Sequence, residues 1–243
     1  PEVKVYDVLD ADGTRLAVWY SDYFPREGKR GGAWMSSLRK ERIEGGQRVL
    51  PLVYNVGNFT RPTAETPALL SLDEVRTMFH EFGHALHGML SQCRYEKLSG
   101  TAVARDFVEL PSQVLENWAL EPEVLALYAR HWQTDRPMPA ALVERLRGAR
   151  HFNQGFETVE YLAASFLDMD WHTIADPDTI AAVDPDAFEA ASLGRLGLID
   201  AIATRYRSPY FRHVFGGGYA AGYYSYVWAE VLDADAFAAF TEA

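Results

Sequence analysis

Cysteine is almost missing from this sequence: Cys93 stands alone among 243 residues. A single thiol closes no internal disulfide, so the core must hold the fold, and such usage fits a reducing compartment. Cys93 itself reads as a small hydrophobe following a helix. Long apolar runs are missing too. No stretch approaches the ~18 apolar residues that a membrane-spanning helix needs. Basic residues are outnumbered, 23 Lys and Arg against 34 Asp and Glu, for a formal net charge of −11. That balance argues against nucleic acid as a partner, because phosphate recognition needs a basic face. No secretory signal pattern follows Pro1, and the last helical pattern runs out at Ala243 without a stop signal. We therefore expect a piece of a longer protein.

What is present suffices for a substantial core, at 48% hydrophobic residues. Residues 1–60 read as β-rich. "VKVYDVLD" and "LAVWYSDYF" flank Asp12-Gly13, a hairpin turn signal. "RVLPLVYNVGNF" (Arg48–Phe59) follows an "EGGQ" turn and reads as one further strand, which Pro51 and Gly57 make an edge. From Ser71 onward the pattern is helical. Ser71-Leu72-Asp73-Glu74 is a capping box, and Pro marks the first turn of "EPEVLALYARHW", "MPAALVERL" and "DPDAFEAA". "FETVEYLAASFLDMDWHTI" and Tyr219–Phe240 are long amphipathic stretches. The expected fold class is mainly α with a small N-terminal β-sheet (α+β). One domain is expected over 1–243, its β-rich part in 1–60 and its helical body in 71–243.

The helix that follows Ser71 carries "MFHEFGHALHGML". His80 and His84 stand four residues apart, so their imidazoles leave one face about one turn (~5.4 Å) from each other. Two imidazoles so placed can converge on one zinc ion at ~2.0–2.1 Å, and Glu81 between them can reach a water in the open coordination position. The HExxH pattern is therefore a metal-plus-base unit, against the plainer reading of a core helix with incidental histidines. His87 lies about 10.5 Å along the axis from His80 and cannot share that ion, so it packs or supports. A third ligand must come from elsewhere. Glu96, Glu109, Glu116, Glu121 and Glu123 are candidates, and spacing alone selects none. Position favours Glu109, in or just before the first turn of "ELPSQVLENW", where Pro111 is tolerated. Glu116 could then orient a ligand imidazole.

Tyrosines crowd "HVFGGGYAAGYYSYVW". On a helix beginning near Tyr219, residues Tyr219, Tyr223 and Tyr226 fall on one face while Tyr224 points elsewhere. Such a row packs a core, or it donates phenol hydrogen bonds to a developing oxyanion.

Several segments together are specific: "FHEFGHALHGML", "LSGTAVARDFVELPSQVLENWA", "ARHWQTDRPMP", "FNQGFETVEYLAASFLDMDWHT" and "YFRHVFGGGYAAGYYSYVWAEVL". In this order they resemble the thimet oligopeptidase family of zinc peptidases, and within it the bacterial peptidyl-dipeptidases. Ala104 stands where close relatives are expected to have proline. The resemblance implies a zincin-like catalytic domain, truncated at both ends, and one zinc ion held by His80, His84 and Glu109. It implies Glu81, His213, Tyr219, Tyr223 and Tyr226 as catalytic residues. It also implies short peptides as substrates, an absent N-terminal half as partner, and a bacterial cytoplasmic setting. Release of C-terminal dipeptides is the expected reaction. The alternatives are an endo-acting oligopeptidase of the same family and a metal-binding module without catalysis. Leu50–Phe59 is the available edge for an extended peptide. Arg105, Arg205, Arg207 and Arg212 are candidates for gripping the substrate carboxylate.

Overall fold

A computed structural model describes residues 2–242. The chain separates into two compact units, Pro1–Val143 with Ala229–Ala243, and Glu144–Trp228.

The first unit begins with strands β1 (Lys4–Leu9), β2 (Arg15–Asp22), β3 (Trp34–Arg39), β4 (Arg42–Glu44), β5 (Gln47–Val49) and β6 (Leu52–Val56). The four-stranded sheet runs β1-β2-β6-β3, with β2 and β6 parallel and the other pairs antiparallel. β1 and β2 form the hairpin expected around Asp12-Gly13, Gly13 taking a φ of 85°. β4 and β5 form a separate hairpin around Gly45-Gly46. Both glycines have positive φ, 58° and 78°, as a tight two-residue turn demands.

Here the sequence reading needs correction. Arg48–Phe59 is not one edge strand: its start completes β5, and β6 lies inside the sheet between β2 and β3. Pro51 precedes β6, so its missing N–H is not required by that strand, and its carbonyl accepts from Val18 N at 3.1 Å. Gly57 falls just past the last residue of β6. Neither breaker interrupts the ladder. The stretch Leu50–Phe59 therefore offers no free edge to a peptide, and the outer strands of the sheet are β1 and β3.

Alternate residues of a strand face one side. Ala17 and Trp19 of β2, Met35 of β3 and Val53 of β6 form such a face, and it meets α1 (Leu72–Met89) through Phe82, Ala85, Leu86 and Met89. The helix starts as its sequence dictates. Ser71 Oγ accepts from Glu74 N at 3.2 Å, and Glu74 Oε2 accepts from Ser71 N at 2.8 Å. The same carboxylate takes Thr60 N at 2.6 Å, tying the segment after the sheet to the helix start. Then come α2 (Arg105–Val108), α3 (Leu110–Trp118), which packs on α1, and α4 (Pro122–Tyr128). α5 (Ala140–Gly148) leads into the second unit.

That unit holds α6 (Gln154–His172), α7 (Pro177–Ala182), α8 (Pro185–Gly194) and α9 (Arg212–Phe215). Asp176 and Asp184 cap α7 and α8, accepting from Asp178 N and Ala187 N. Its core gathers Tyr161, Ala164, Phe211, Val214 and Tyr223. The last helix, α10 (Ser225–Thr241), begins in this unit and ends in the first. The fold is thus mainly helical with a small N-terminal mixed sheet. Among the described residues no helix is long and apolar enough to cross a membrane.

Candidate metal centre

Three side chains of the first unit converge. The ligand atoms of His80, His84 and Glu109 all lie within 4.8 Å of one another. Both imidazoles aim Nε2 at the same carboxylate oxygen, Glu109 Oε2, at 3.3 Å from His80 and 3.1 Å from His84. Donors held ~2.0–2.1 Å from a four-coordinate zinc stand about 3.3–3.4 Å apart, so the arrangement fits that ion. The ring planes cross at 87°, which lets two imidazoles one turn apart point at one place without stacking.

Packing creates the convergence. Glu109 links α2 to α3 with φ −83° and ψ −13°, and its carbonyl accepts from Gln113 N at 2.9 Å and from Ser112 Oγ at 2.7 Å. The first turn of α3 approaches α1 at Gly83. A Cβ there would stand 2.6 Å from Pro111 O and 2.6 Å from Ser112 Cα. Only glycine admits that approach, and it lies inside the HExxH segment. The far end of α3 is held by Trp118 against Phe237 and Phe240, at 5.2 and 5.7 Å between ring centroids. Asn117 Nδ2 also donates to Asp233 Oδ1 at 2.8 Å.

The electrostatics suit a cation ligand set. Burial would raise the Glu109 carboxyl, but hydrogen bonds to His80 and His84 outweigh it and hold the group far below the ordinary glutamate value. Burial likewise pulls the His80 imidazole down, and hydrogen bonds to Glu109 and Glu116 overcome that and raise it to about 10. Glu116 reaches one of these imidazoles: Oε1 lies 2.7 Å from His80 Nδ1, while Oε2 accepts from Arg76 at 3.1 Å. With Nδ1 engaged by Glu116, the ring presents Nε2 toward Glu109. Glu81 is buried, its Oε2 has no hydrogen-bond partner among the described residues, and burial lifts its carboxyl above the ordinary value.

The other candidates fall outside this cluster. Glu96 pairs with Arg42 at 3.6 Å, Glu121 sits at the start of α4, and Glu123 lies in its first turn. His87 is half-buried against Phe107, at 6.5 Å between ring centroids. Arg207 is engaged by Glu189 and Asp186, and Arg205 lies over the Tyr206 ring.

In the second unit, His213, Tyr219, Tyr223 and Tyr226 form one aromatic cluster. His213 stands 6.3, 5.6 and 6.5 Å from the three tyrosine rings, and Tyr219 stacks on Tyr226 at 5.4 Å. The expected route to this cluster is corrected. No helix begins near Tyr219; α10 starts at Ser225, and residues 219–224 run through turns. Gly217 packs on the His213 backbone, where a Cβ would come within 2.9 Å of His213 O, and Tyr219 N donates to that oxygen at 3.0 Å. Ala221 holds a left-handed φ of 51°. Buried Asp168 accepts from Ala221 N at 3.0 Å and from Tyr223 N at 2.9 Å, and so holds the main chain of these turns. Its Oδ1 also lies 2.8 Å from His172 Nδ1. The sequence reading missed Asp168. Its one signal is an acidic residue on the otherwise apolar face of α6, among Tyr161, Ala164, Ser165 and Leu167.

The entire chain, residues 1–243, matches Peptidase family M3. The chain belongs to that family. Over its full length it is 46% identical to the dipeptidyl carboxypeptidase of Escherichia coli (strain K12), covering 35% of that protein. It is 39% identical to oligopeptidase A of the same organism, covering all of this chain and 36% of the relative. With the thimet-like oligopeptidase of Dictyostelium discoideum it shares 36% identity across 98% of this chain and 36% of the relative. The chain thus spans about a third of the length of these M3 relatives.

Proposed function

We propose that this chain forms the metal-bearing part of a zinc peptidase with a zincin-like catalytic domain, and that the complete enzyme releases C-terminal dipeptides from short peptides. The observation that carries the reading is the meeting of His80, His84 and Glu109 beside a buried Glu81, in a chain of family M3. A bound zinc ion would supply Lewis acidity, lowering the pKa of a bound water to ~7 and polarising the scissile carbonyl.

The protein's own groups do the rest. Glu116, itself held by Arg76, fixes the orientation of the His80 ring so that Nε2 faces the candidate metal position. Glu81 accepts the proton of the attacking water at its unpartnered Oε2, a transfer that its raised proton affinity favours, and then delivers it to the leaving amine. No covalent bond to the protein forms. His213, Tyr219, Tyr223 and Tyr226 are proposed as the groups that bind and stabilise the negative charge on the substrate oxygen.

Short peptides are the proposed substrates, and a further portion of the same enzyme is the proposed partner. Phe152, Phe156, Val159, Leu162, Phe166 and Met169 make an exposed apolar stripe on and just before α6. Such a stripe is a surface for further protein to cover. The isolated chain should bind zinc yet hydrolyse peptide weakly, because an open site positions a substrate poorly and admits water. The bacterial relatives and the single Cys93 support a bacterial cytoplasmic setting.

The closely similar oligopeptidase A keeps a second reading in view, cleavage of internal bonds. Mass spectrometry of products from one peptide, with free and then amidated C-terminus, separates the two. Successive dipeptides that vanish on amidation support the carboxypeptidase; internal cuts that survive amidation transfer the assignment to the endopeptidase.

A further inference from the structure

Asn55 is an amide where the packing calls for an apolar residue. It is fully buried near the end of interior strand β6, with Val53 and Val56 of the same strand also buried. Desolvating a carboxamide is unfavourable unless both its ends find partners. Both do. The indole N–H of Trp19 donates to Asn55 Oδ1 at 2.7 Å, and Asn55 Nδ2 donates to the backbone oxygen of Glu81 at 2.6 Å. An indole can only donate, so it fixes which end of the amide is oxygen and turns the NH2 toward α1. Trp19 is fixed in turn, stacked on Tyr6 and edge-on to Phe82, each at 5.0 Å between ring centroids.

The receiving carbonyl lies within the HExxH segment itself. A helical carbonyl already accepts from the N–H four residues on and has a second lone pair to offer. An apolar contact would let α1 slide or turn slightly on the sheet, whereas a short directional bond to one carbonyl does not. The sensitivity is large. At a side-chain radius of ~6 Å, a 10° roll of a helix displaces a ligand atom by about 1 Å. A displacement of that size can lower function by about 100-fold.

We propose that Asn55, oriented by Trp19, is a positioning residue that fixes the roll of α1 and so the meeting point of His80, His84 and Glu109. The proposal rests on the zinc reading above. It adds a sheet-to-helix hydrogen-bond relay, Trp19 to Asn55 to the Glu81 carbonyl, as the determinant of metal affinity.

The test measures zinc affinity by competition with a chelator, on protein verified as folded by circular dichroism. Asn55→Leu keeps the volume and deletes the relay; zinc affinity should fall about 10- to 100-fold, the range for groups that orient ligands from behind. Trp19→Phe keeps an aromatic ring but frees the amide to rotate, and a loss of about 2- to 10-fold is expected, the worth of one hydrogen bond. Val53→Ala, at the same interface, should lower the melting temperature and leave zinc affinity unchanged, which separates positioning from stability. Affinity within twofold of the parent in folded Asn55→Leu overturns the proposal. If that variant does not fold, unchanged affinity in Trp19→Phe overturns it. A parent chain that binds no zinc refutes the metal reading instead, a result distinct from either.

Discussion

The two units bring chemistry together by opposite means. In the first, His80 and His84 project from one regular helix and Glu109 from the junction of α2 and α3, and their meeting is set by how closely α1 and α3 approach and by how α1 rests on the sheet. In the second, the turns between α9 and α10 gather Tyr219 and Tyr223 with His213 of α9 and Tyr226 of α10, and main-chain N–H groups of those turns are held by one buried carboxylate, Asp168. A helix fixes the angle between its side chains from sequence spacing alone. A turn does so only through partners far away in the chain, here 53 and 55 residues distant. One arrangement should fail through loss of packing, the other through loss of backbone anchoring.

The sharpest contrast concerns Glu81, which stands between the candidate ligands His80 and His84 and lies outside the group of three that could hold an ion. In the full-length enzyme, Glu81→Gln should retain zinc and lose about 100- to 10,000-fold in turnover, the usual contribution of a general base. Paired metal analysis and peptide-hydrolysis rates check it, and a zinc-replete variant with near-parental turnover removes Glu81 from the mechanism.

Packing in the first unit can be broken with one methyl group. Gly83→Ala drives a Cβ into the backbone of Pro111 and Ser112, which cannot give way as a flexible side chain would. A destabilisation of about 1–3 kcal/mol is expected together with weakened zinc binding. Gly148→Ala meets nothing within 4 Å and serves as the comparison, neutral or stabilising by up to ~1 kcal/mol. Chemical denaturation of both variants measures the difference.

Anchoring in the second unit can be broken at Asp168. Asp168→Asn keeps the shape but replaces one acceptor with a donor facing a backbone N–H. A buried donor left unpaired costs about 1–3 kcal/mol. Hydrogen exchange should speed up at Ala221 and Tyr223 in particular, with the amides of α1 unaffected. Uniform acceleration across both units would instead mark Asp168 as a general stability residue.

A smaller effect reports burial of the aromatic groups. Burial raises the phenols of Tyr23 and Tyr223, and it pushes Tyr161 up to about 12 from an ordinary 10. A raised folded-state value means that the unfolded chain ionises first. The associated stability is intact below about pH 10 and is lost as the pH climbs towards 12. Phenolate absorbance should show these tyrosines ionising only with the unfolding transition.

What was legible in the sequence follows the same division. The capping box at Ser71, the glycine turns at Asp12-Gly13 and Gly45-Gly46, and the one-turn spacing of His80 and His84 are local rules that act within a few residues. Glu109 was favoured by position, but what selects it physically is the glycine contact between α1 and α3, a tertiary fact. The strand at Leu52–Val56 was misplaced to an edge because Pro51 and Gly57 were read as part of it, when both stand just outside its ladder. The helix expected at Tyr219 was misread because a run of aromatic and small residues carries no sign that Asp168 will claim its N–H groups. Asn55 escaped notice for the same reason, since a lone amide in an apolar strand has meaning only beside Trp19 and Glu81.

Zinc stoichiometry tests the central claim most directly, by equilibrium dialysis of the parent chain beside His84→Ala, Glu109→Ala and Glu81→Gln. The account predicts one ion per chain for the parent and for Glu81→Gln, and none for the other two. A parent that binds no zinc, or a Glu109→Ala protein that binds as tightly as the parent, would contradict it.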